Sequence, residues 1–155
     1  MDPYPILLLL VEDNPAEALL TREALRETGL PHELFVVTDG EKATQYLKRE
    51  ADYENAATPH LILLDLNLPR KHGKEVLRDI KSDPLLRNIP VIVISNSQAP
   101  EDIEAVYRLN GNCYLVKPTD LDDLFSMMAS LVEFWFHKVQ LPGESPATFQ
   151  PTILQ

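Results

Sequence analysis

Short apolar runs alternate along the chain with longer stretches in which apolar residues recur every three or four positions. Most short runs leave no room for a polar face, which is typical of strands buried on both sides, whereas the longer stretches have the period of helices packed on one face. The short runs predict strands at 6–11, 32–37, 61–64, 89–94 and 113–116. The longer stretches predict helices at 14–28, 39–49, 101–109 and 119–139, with a further helix around 76–80.

This strict alternation predicts right-handed βαβ units, and hence a parallel five-stranded sheet covered by helices on both faces. We expect one doubly wound α/β domain over residues 1–140, because the sequence contains no internal repeat and no sign of a second domain. Residues 141–155 contain three prolines and are expected to form an irregular tail. Thr119, with Asp122 three positions later, approximates a capping box and is expected to start the last helix.

Polar side chains follow four of the predicted strands at the point where each strand ends. Glu12 and Asp13 come after the first strand, Asp65 after the third, Ser95 after the fourth and Lys117 after the fifth. Ligands of open α/β sheets bind outside these carboxyl ends, where the strand order reverses, and the four ends meet if the order is 2-1-3-4-5. A helix start, a turn or a solvated charge explains each residue alone, but none of these explains their shared location.

Three converging carboxylates raise one another's pKa values unless a cation lies between them. Mg²⁺ prefers a few carboxylate oxygens, a backbone carbonyl and water, and a phosphate group commonly completes its coordination. Lys117 adds a mobile positive charge and Ser95 adds a hydroxyl donor. The set therefore has the chemistry to surround a phosphoryl group attached to a carboxylate.

Composition narrows the possible partners. The 155 residues carry 24 acidic and 14 basic side chains, and the resulting net charge of −10 disfavours nucleic acid and anionic membrane surfaces as partners. The single cysteine, Cys113, excludes an intramolecular disulfide and favours a reducing, cytoplasmic location. No apolar run approaches the roughly 18 residues that a membrane span requires.

Four motifs, VED, LLDLNLP, VISNS and LVKP, occur in this order, and together they resemble those of response-regulator receiver domains over about Ile6 to Val139. The resemblance implies a flavodoxin-like (βα)5 fold with strand order 2-1-3-4-5. It also implies two-component signalling, in which a sensor histidine kinase transfers a phosphoryl group to the receiver. A receiver is not a conventional turnover enzyme, although self-dephosphorylation belongs to its chemistry.

The resemblance assigns Asp65 as the phosphoryl acceptor. The metal ion, Mg²⁺ or alternatively Mn²⁺, is expected to bind Asp13, Asp65 and the backbone carbonyl of Asn67, with Glu12 acting mainly through water. The acidic pair is Glu-Asp where many receivers have Asp-Asp, a variation that leaves this chemistry intact.

The resemblance also assigns the residues that surround the phosphoryl group. Lys117 is expected to pair with Asp65 before phosphorylation and with the phosphoryl oxygens afterwards, and Ser95 is expected to hydrogen-bond the phosphoryl group. Tyr114 falls at the aromatic switch position, where the ring turns inward when the Ser95 hydroxyl moves. Pro118 is expected to follow a cis peptide bond that aims Lys117.

The linker at 50–59 is longer than in most receivers. With the segment NCYLVKP and a last helix containing FW, it makes the chain resemble the stand-alone regulators that are paired with cyanobacterial phytochromes. A phytochrome-type histidine kinase is therefore the expected partner. Asn96 replaces the small residue that is frequent beside Ser95 in receivers, and this replacement bears on the lifetime of the phosphoryl group.

The residues after Val139 are too few for a DNA-binding or enzymatic output domain, so we expect the output to be a protein surface. The last helix carries more apolar residues than one face needs, and leftover aromatics are enriched at interfaces. We expect a homodimer through the fourth helix, fifth strand and fifth helix. The predicted surface comprises Val106, Leu109, Tyr114, Phe125, Phe134 and Phe136. Alternatively, the helix is buried more deeply, or the tail folds over these aromatics through Phe149, Ile153 and Leu154.

Three other functions fit parts of the pattern. A phosphatase of the haloacid dehalogenase type also uses an aspartate nucleophile at a strand end with Mg²⁺, but it needs a second acidic residue two positions on, where this chain has Asn67. A receiver-like scaffold that is never phosphorylated does not need Asp13, Asp65, Ser95 and Lys117 together. A flavodoxin-like cofactor binder needs a glycine-rich or hydroxyl-rich loop after the first strand, and this sequence lacks one.

Overall fold

The computed structural model describes residues 5–142, in which five strands alternate with five helices. The strands are β1 (Ile6–Val11), β2 (His32–Val37), β3 (Leu61–Leu64), β4 (Val91–Ser95) and β5 (Cys113–Val116). The helices are α1 (Pro15–Glu27), α2 (Gly40–Lys48), α3 (Gly73–Ser82), α4 (Pro100–Arg108) and α5 (Leu121–His137). A single turn of 3₁₀ helix, Ala51–Tyr53, lies in the polar linker between α2 and β3.

The sheet is parallel throughout, and its strands lie in the order β2-β1-β3-β4-β5, which confirms the predicted α/β fold and strand order. The chain places β2 on one side of β1 and then crosses to place β3 on the other side, so the strand order reverses beside β1. In register, Val11 lies beside Leu64, and Ser95 lies beside Val116. The carboxyl ends of β1, β3, β4 and β5 therefore open onto one crevice.

Helices on both faces of the sheet create two hydrophobic cores. Leu9, Ile62 and Val93 belong to the core that α2, α3 and α4 cover, whereas Leu8 and Leu63 belong to the core that α1 and α5 cover. Every residue of β3 and β4 is buried. Because successive side chains of a strand point to opposite faces, a strand covered on both faces is apolar at successive positions, which explains the uninterrupted apolar runs of the sequence; Ser95, at the carboxyl end of β4, is the polar exception.

The start of β4 differs from its prediction. The strand begins at Val91, although the apolar run begins at Ile89. The N–H of Ile89 bonds to the carbonyl of Leu86 in a turn, and Pro90 has no N–H to donate to a neighbouring strand. Apolar character therefore extends two residues beyond the hydrogen-bonded strand.

The start of α5 also differs from its prediction. The helix begins at Leu121, and its N-cap is Asp120 rather than Thr119. The Asp120 carboxylate accepts hydrogen bonds from the backbone N–H groups of Asp122 and Asp123. Aspartate at this position satisfies the same unpaired N–H groups that Thr119 was predicted to satisfy, one residue further along.

Two residues of the predicted dimer surface lie in the cores instead. Val106 belongs to α4 and is fully buried. Phe136 is 2% exposed, because it lies four and eight residues after Val132 and Met128 and continues their inward face. Phe134, two residues earlier, points away from that face and is 55% exposed. The prediction was wrong for Val106 and Phe136, and the alternative of deeper burial applies to Phe136.

Three further residues of that predicted surface are half-buried. Leu109 and Tyr114 pack against one core, and Phe125 packs against the other. The three tail residues considered as a cover, Phe149, Ile153 and Leu154, lie outside the described residues. Between residues 5 and 142, no helix is both long and apolar enough to cross a lipid bilayer.

Candidate functional site

The predicted acidic residues converge on the crevice beside β1. Glu12 and Asp13 follow β1, Asp65 follows β3, and one carboxylate oxygen from each residue lies within 4.8 Å of the other two. Glu12 and Asp65 are 4% and 7% exposed, whereas Asp13 faces solvent. Carboxylate oxygens that lie this close together are the donors that hard divalent cations prefer, so this part of the chain fits Mg²⁺ or Mn²⁺.

Main-chain contacts fix the position of Asp65. Its N–H donates to the carbonyl of Val11 at 3.1 Å, which ties the end of β3 to the end of β1. Its Oδ1 accepts a hydrogen bond from the N–H of Asn67 at 3.1 Å. Gly73, at the start of α3, comes so close that an added Cβ would lie 2.4 Å from the Asp65 carbonyl oxygen. The carboxylate therefore projects into the crevice from a tightly packed backbone.

Lys117 supplies the positive charge of the site. Its Nζ lies 2.9 Å from Asp65 Oδ2, 2.9 Å from Glu12 Oε1 and 2.5 Å from Glu17 Oε1. Its side chain is 12% exposed, and its backbone N–H donates to the carbonyl of Ser95 at 2.8 Å, which sets the end of β5 against the end of β4. The predicted approach of Lys117 to Asp65 is thus present in the structure.

Glu17 is a member of the site that the sequence analysis missed. It lies in the first turn of α1, where the side chain of the N-cap Asn14 accepts a hydrogen bond from its N–H at 3.1 Å. An acidic residue in a first helical turn is common because it interacts favourably with the helix dipole. The sequence therefore carried no signal that separated Glu17 from an ordinary helix-start acid.

Burial and charge act in opposite directions on the ionisable groups here. Burial raises the pKa of Glu12 to about 7, against the opposing hydrogen bond and charge of Lys117 and with a further rise from the Asp65 charge. Burial by itself lowers the pKa of Lys117, but the hydrogen bonds to Glu17, Asp65 and Glu12 outweigh it and hold that pKa above its ordinary value. Lys117 is therefore a cation throughout the physiological pH range.

The peptide bond between Lys117 and Pro118 is trans, which corrects the predicted cis bond. For a bond that precedes proline, the trans form is favoured by about 0.5–1 kcal/mol when nothing else decides. Lys117 reaches all three carboxylates from the trans backbone, so its contacts in this structure do not require the cis form.

Ser95 and Tyr114 are linked through the loop between β4 and α4. Ser95 is fully buried, and its Oγ accepts a hydrogen bond from the N–H of Ser97 at 3.1 Å. The Tyr114 hydroxyl donates to the carbonyl of Ser97 at 2.8 Å, and the N–H of Tyr114 donates to the hydroxyl of Tyr107 at 3.1 Å. The tyrosine ring is half-buried against the core. Asn96, between the two serines, is exposed.

The same loop is connected to the helices that flank it. The Ser97 hydroxyl donates to Asp102 Oδ2 at 2.5 Å, and Lys74 Nζ lies 2.6 Å from Asp102 Oδ1. Hydrogen bonds to Lys74 and then to Ser97 hold the pKa of Asp102 below its usual value. The sequence does not mark Ser97, Lys74 and Asp102 as a group, because their polar side chains come together only when α3 and α4 pack side by side.

Comparisons with known proteins identify the family of this chain. The sequence profile of the response regulator receiver domain matches residues 8–129. Response regulator Rcp1 from Synechocystis sp. is 46% identical over 139 residues, which cover 90% of this chain and 95% of Rcp1. The structure of the phosphorylated cyanobacterial phytochrome response regulator RcpA matches with a TM-score of 0.87 at 47% identity, over 90% of this chain and all of that chain.

The Mn²⁺-bound structure of Rcp1 matches with a TM-score of 0.85 at 45% identity, again over 90% of this chain and 100% of that chain. These similarities include the family match over residues 8–129, which contains all the strand ends at which the acidic residues, Ser95 and Lys117 lie. They do not favour a phosphatase or a non-phosphorylated scaffold over a phosphoryl acceptor. The chain belongs to the response regulator receiver domain family and is related to the phytochrome response regulators of cyanobacteria.

Proposed function

We propose that this protein accepts a phosphoryl group on Asp65 from a sensor histidine kinase and passes the signal on through a protein surface. The observation that carries the proposal is the environment of the Asp65 carboxylate. One oxygen is held by the Asn67 N–H and the other by the Lys117 ammonium, and Glu12 and Asp13 lie beside them. The carboxylate is thus fixed where a cation and a phosphoryl group can be held together.

Phosphoryl transfer breaks the P–N bond of the kinase phosphohistidine and forms a P–O bond to Asp65, and the electron pair of the broken bond stays with the imidazole. Asp13, Asp65 and the backbone carbonyl of Asn67 would hold Mg²⁺, and Glu12 would act on it through water. The ion supplies charge neutralisation for the phosphoryl oxygens. The Mn²⁺ bound in the related Rcp1 structure supports a divalent ion here and makes Mn²⁺ a substitute.

Lys117 and Ser95 complete the surroundings of the phosphoryl group. Lys117 already bonds to Asp65 and can transfer one N–H donor to a phosphoryl oxygen attached to it. The Ser95 hydroxyl lies at the adjacent strand end and donates to another oxygen. In these contacts the phosphoryl group stays attached to Asp65 and no substrate is turned over. We therefore propose that the protein is a phosphoryl acceptor rather than a conventional enzyme.

Labelling of Asp65→Asn tests the assignment. With a small-molecule phosphodonor and Mg²⁺, the full chain is expected to incorporate acid-labile phosphate and Asp65→Asn to incorporate none. Asp52→Asn, an exposed aspartate in the linker, is the matched control and keeps wild-type labelling. Equal labelling of Asp65→Asn and the control overturns the assignment.

Movement of Ser95 provides the route from the site to the surface. When the Ser95 hydroxyl turns toward the phosphoryl oxygens, it gives up the hydrogen bond that it accepts from Ser97. Ser97 also holds the Tyr114 hydroxyl and the Asp102 carboxylate, so its displacement reaches both β5 and α4. Tyr114 then turns inward, and the surface formed by α4, β5 and α5 changes its affinity for partners.

Two proposed partners, a histidine kinase and a second copy of this chain, are supported by the relatives and by the surface of α4, β5 and α5. A phytochrome-type histidine kinase is the proposed phosphodonor, supported by the similarity to RcpA and Rcp1. Exposed Phe134 and half-buried Phe125, Leu109 and Tyr114 are apolar residues of the predicted surface that remain accessible for a homodimer through α4, β5 and α5. A cytoplasmic location, with no direct contact to nucleic acid or membrane, is consistent with the net charge of −10 and the single cysteine.

These partner proposals are tested together by phosphotransfer from a panel of histidine kinases, with the oligomeric state measured by light scattering before and after. Rapid transfer from a phytochrome-type kinase and slow transfer from the others supports the pairing. Faster transfer from an unrelated kinase contradicts it. A monomer under both conditions contradicts the homodimer.

A further inference from the structure

The Lys117 ammonium has three N–H donors, and each one points to a different carboxylate. Two of these partners, Glu12 and Asp65, belong to the acidic cluster that fits a divalent cation. The third partner, Glu17, lies outside that cluster, on the first turn of α1. The side chains also differ in access to water: that of Glu17 is 39% exposed, whereas those of Glu12 and Asp65 are 4% and 8% exposed.

A divalent cation and Lys117 draw on the negative charge of the same two carboxylates, Glu12 and Asp65. When the cation binds the cluster, Glu12 and Asp65 turn part of their charge toward it, and the ammonium is repelled at short distance. Water does not make up for the weakened attraction to Glu12 and Asp65, because only 12% of the Lys117 side chain is exposed. A buried ammonium without a partner opposes binding of the metal.

We propose that Glu17 is a positioning residue that retains the Lys117 ammonium when the divalent cation occupies the acidic cluster. This inference rests on the proposed function, because it concerns the same metal site. Glu17 Oε1 lies 2.5 Å from Nζ, and Glu17 need not move when the metal binds, because it is not one of the three clustered carboxylates. Lys117 keeps an anionic partner and stays within reach of Asp65.

The sign of the effect follows from counting partners. In the metal-free protein, Glu17 is one of three carboxylates that hold Lys117, so its loss leaves two. In the metal-loaded protein, Glu12 and Asp65 share their charge with the dication, and Glu17 is the one of the three partners that does not, so its loss leaves the ammonium with two weakened partners. Removing the Glu17 charge therefore destabilises the loaded state more than the free state, and metal affinity falls.

The test is calorimetric titration of Mg²⁺ into the full chain. Glu17→Gln is expected to weaken Mg²⁺ binding about tenfold, at the lower end of the range for residues that act on a metal through another side chain. Glu27→Gln is the matched control, because Glu27 is an exposed glutamate of the same helix, about 15 Å further along it. It removes the same charge and is expected to change the affinity less than twofold.

The Lys117→Met background separates action through Lys117 from direct attraction between Glu17 and the metal. In that background, Glu17→Gln is expected to have no larger effect than Glu27→Gln. A tenfold loss that persists without Lys117 overturns the proposal, and so does an unchanged affinity of Glu17→Gln in the wild-type background. If the wild-type chain itself binds no Mg²⁺, it is the proposed function that fails.

A second measurement does not depend on how Lys117→Met folds. In protein labelled with ¹⁵N-lysine and loaded with Mg²⁺, the Lys117 ammonium resonance is expected to show slow proton exchange with solvent in the wild type and in Glu27→Gln, but fast exchange in Glu17→Gln. Equal exchange in all three proteins overturns the proposal.

Discussion

The Tyr114 hydroxyl donates a 2.8 Å hydrogen bond to the carbonyl of Ser97, whose own N–H donates to the buried Ser95 hydroxyl. The aromatic residue of β5 and the hydroxyl residue of β4 are therefore joined through one loop residue. A displacement of Ser97 would therefore alter the hydrogen bonds of both residues.

Tyr114→Phe tests this connection. The variant keeps the ring and loses the hydrogen bond, so we expect the free energy of unfolding to fall by about 0.5–1.5 kcal/mol. The phosphate-labelling rate at Asp65 is expected to stay within about twofold of wild type. Urea unfolding and labelling kinetics measure the two effects, and a labelling rate that collapses with the hydroxyl would contradict an indirect role for Tyr114.

The raised pKa of Glu12 predicts that the stability of the folded protein depends on pH. Its pKa is about 7 in the folded protein, against an ordinary value of 4.5, so the folded state binds more protons between these values. The contribution of Glu12 to the free energy of unfolding therefore falls as pH rises from about 4.5 to about 7. With metal chelated, the wild-type Tm should fall relative to that of Glu12→Gln across this window, and the difference should stay constant above it. A difference that is constant across the window rules out this titration.

The substitution Gly73→Ala is expected to destabilise the protein, although alanine normally stabilises a helix relative to glycine. In a helix, alanine is favoured over glycine by about 1 kcal/mol. Here the added Cβ would lie 2.4 Å from the Asp65 carbonyl oxygen and 2.6 Å from Leu66 Cα, so the backbone of the site must move. We expect lower stability in urea and slower phosphate labelling. A more stable variant would show that α3 can shift away without cost.

Phe136 and Phe134 make a matched pair on α5. Phe136→Ala removes a ring that is 2% exposed and is expected to cost about 3–5 kcal/mol of unfolding free energy. Phe134→Ala removes a ring that is 55% exposed, so its cost in the monomer is expected to be below about 1 kcal/mol. Light scattering of Phe134→Ala reports its part in a dimer. Equal losses in urea unfolding would contradict the burial described for Phe136.

The sequence was sufficient for the sheet and for most of the site, because both depend on strands whose ends are marked. A fully buried strand must be apolar throughout, so β1 and β3 stop visibly at Glu12 and Asp65. The helix phase of α5 was harder to predict, because apolar residues lie around much of its circumference. Periodicity alone could not place Phe136 inside and Phe134 outside.

The sequence pattern could not predict which side chains of separate elements come into contact. Glu17 and Lys117 are a hundred residues apart and meet only because the carboxyl ends of β1 and β5, which precede them, open onto the same crevice. Asp102 and Lys74 likewise meet only through the packing of α4 against α3. Each of these residues has an ordinary local explanation, and only the geometry of the fold distinguishes it from other surface charges.

The position of Asp65 at the end of β3 has a consequence for how strain spreads through the molecule. β3 is the middle strand and is buried along its whole length, whereas β5, at the edge, is only partly buried. Amides of β3 should therefore exchange with solvent only on global unfolding, and those of β5 by smaller local openings. A phosphoryl group on Asp65, as proposed above, would therefore be attached to the least mobile strand, and we expect any displacement toward β5 to be taken up at its edge, the side of the sheet on which Ser95, Lys117 and Tyr114 lie.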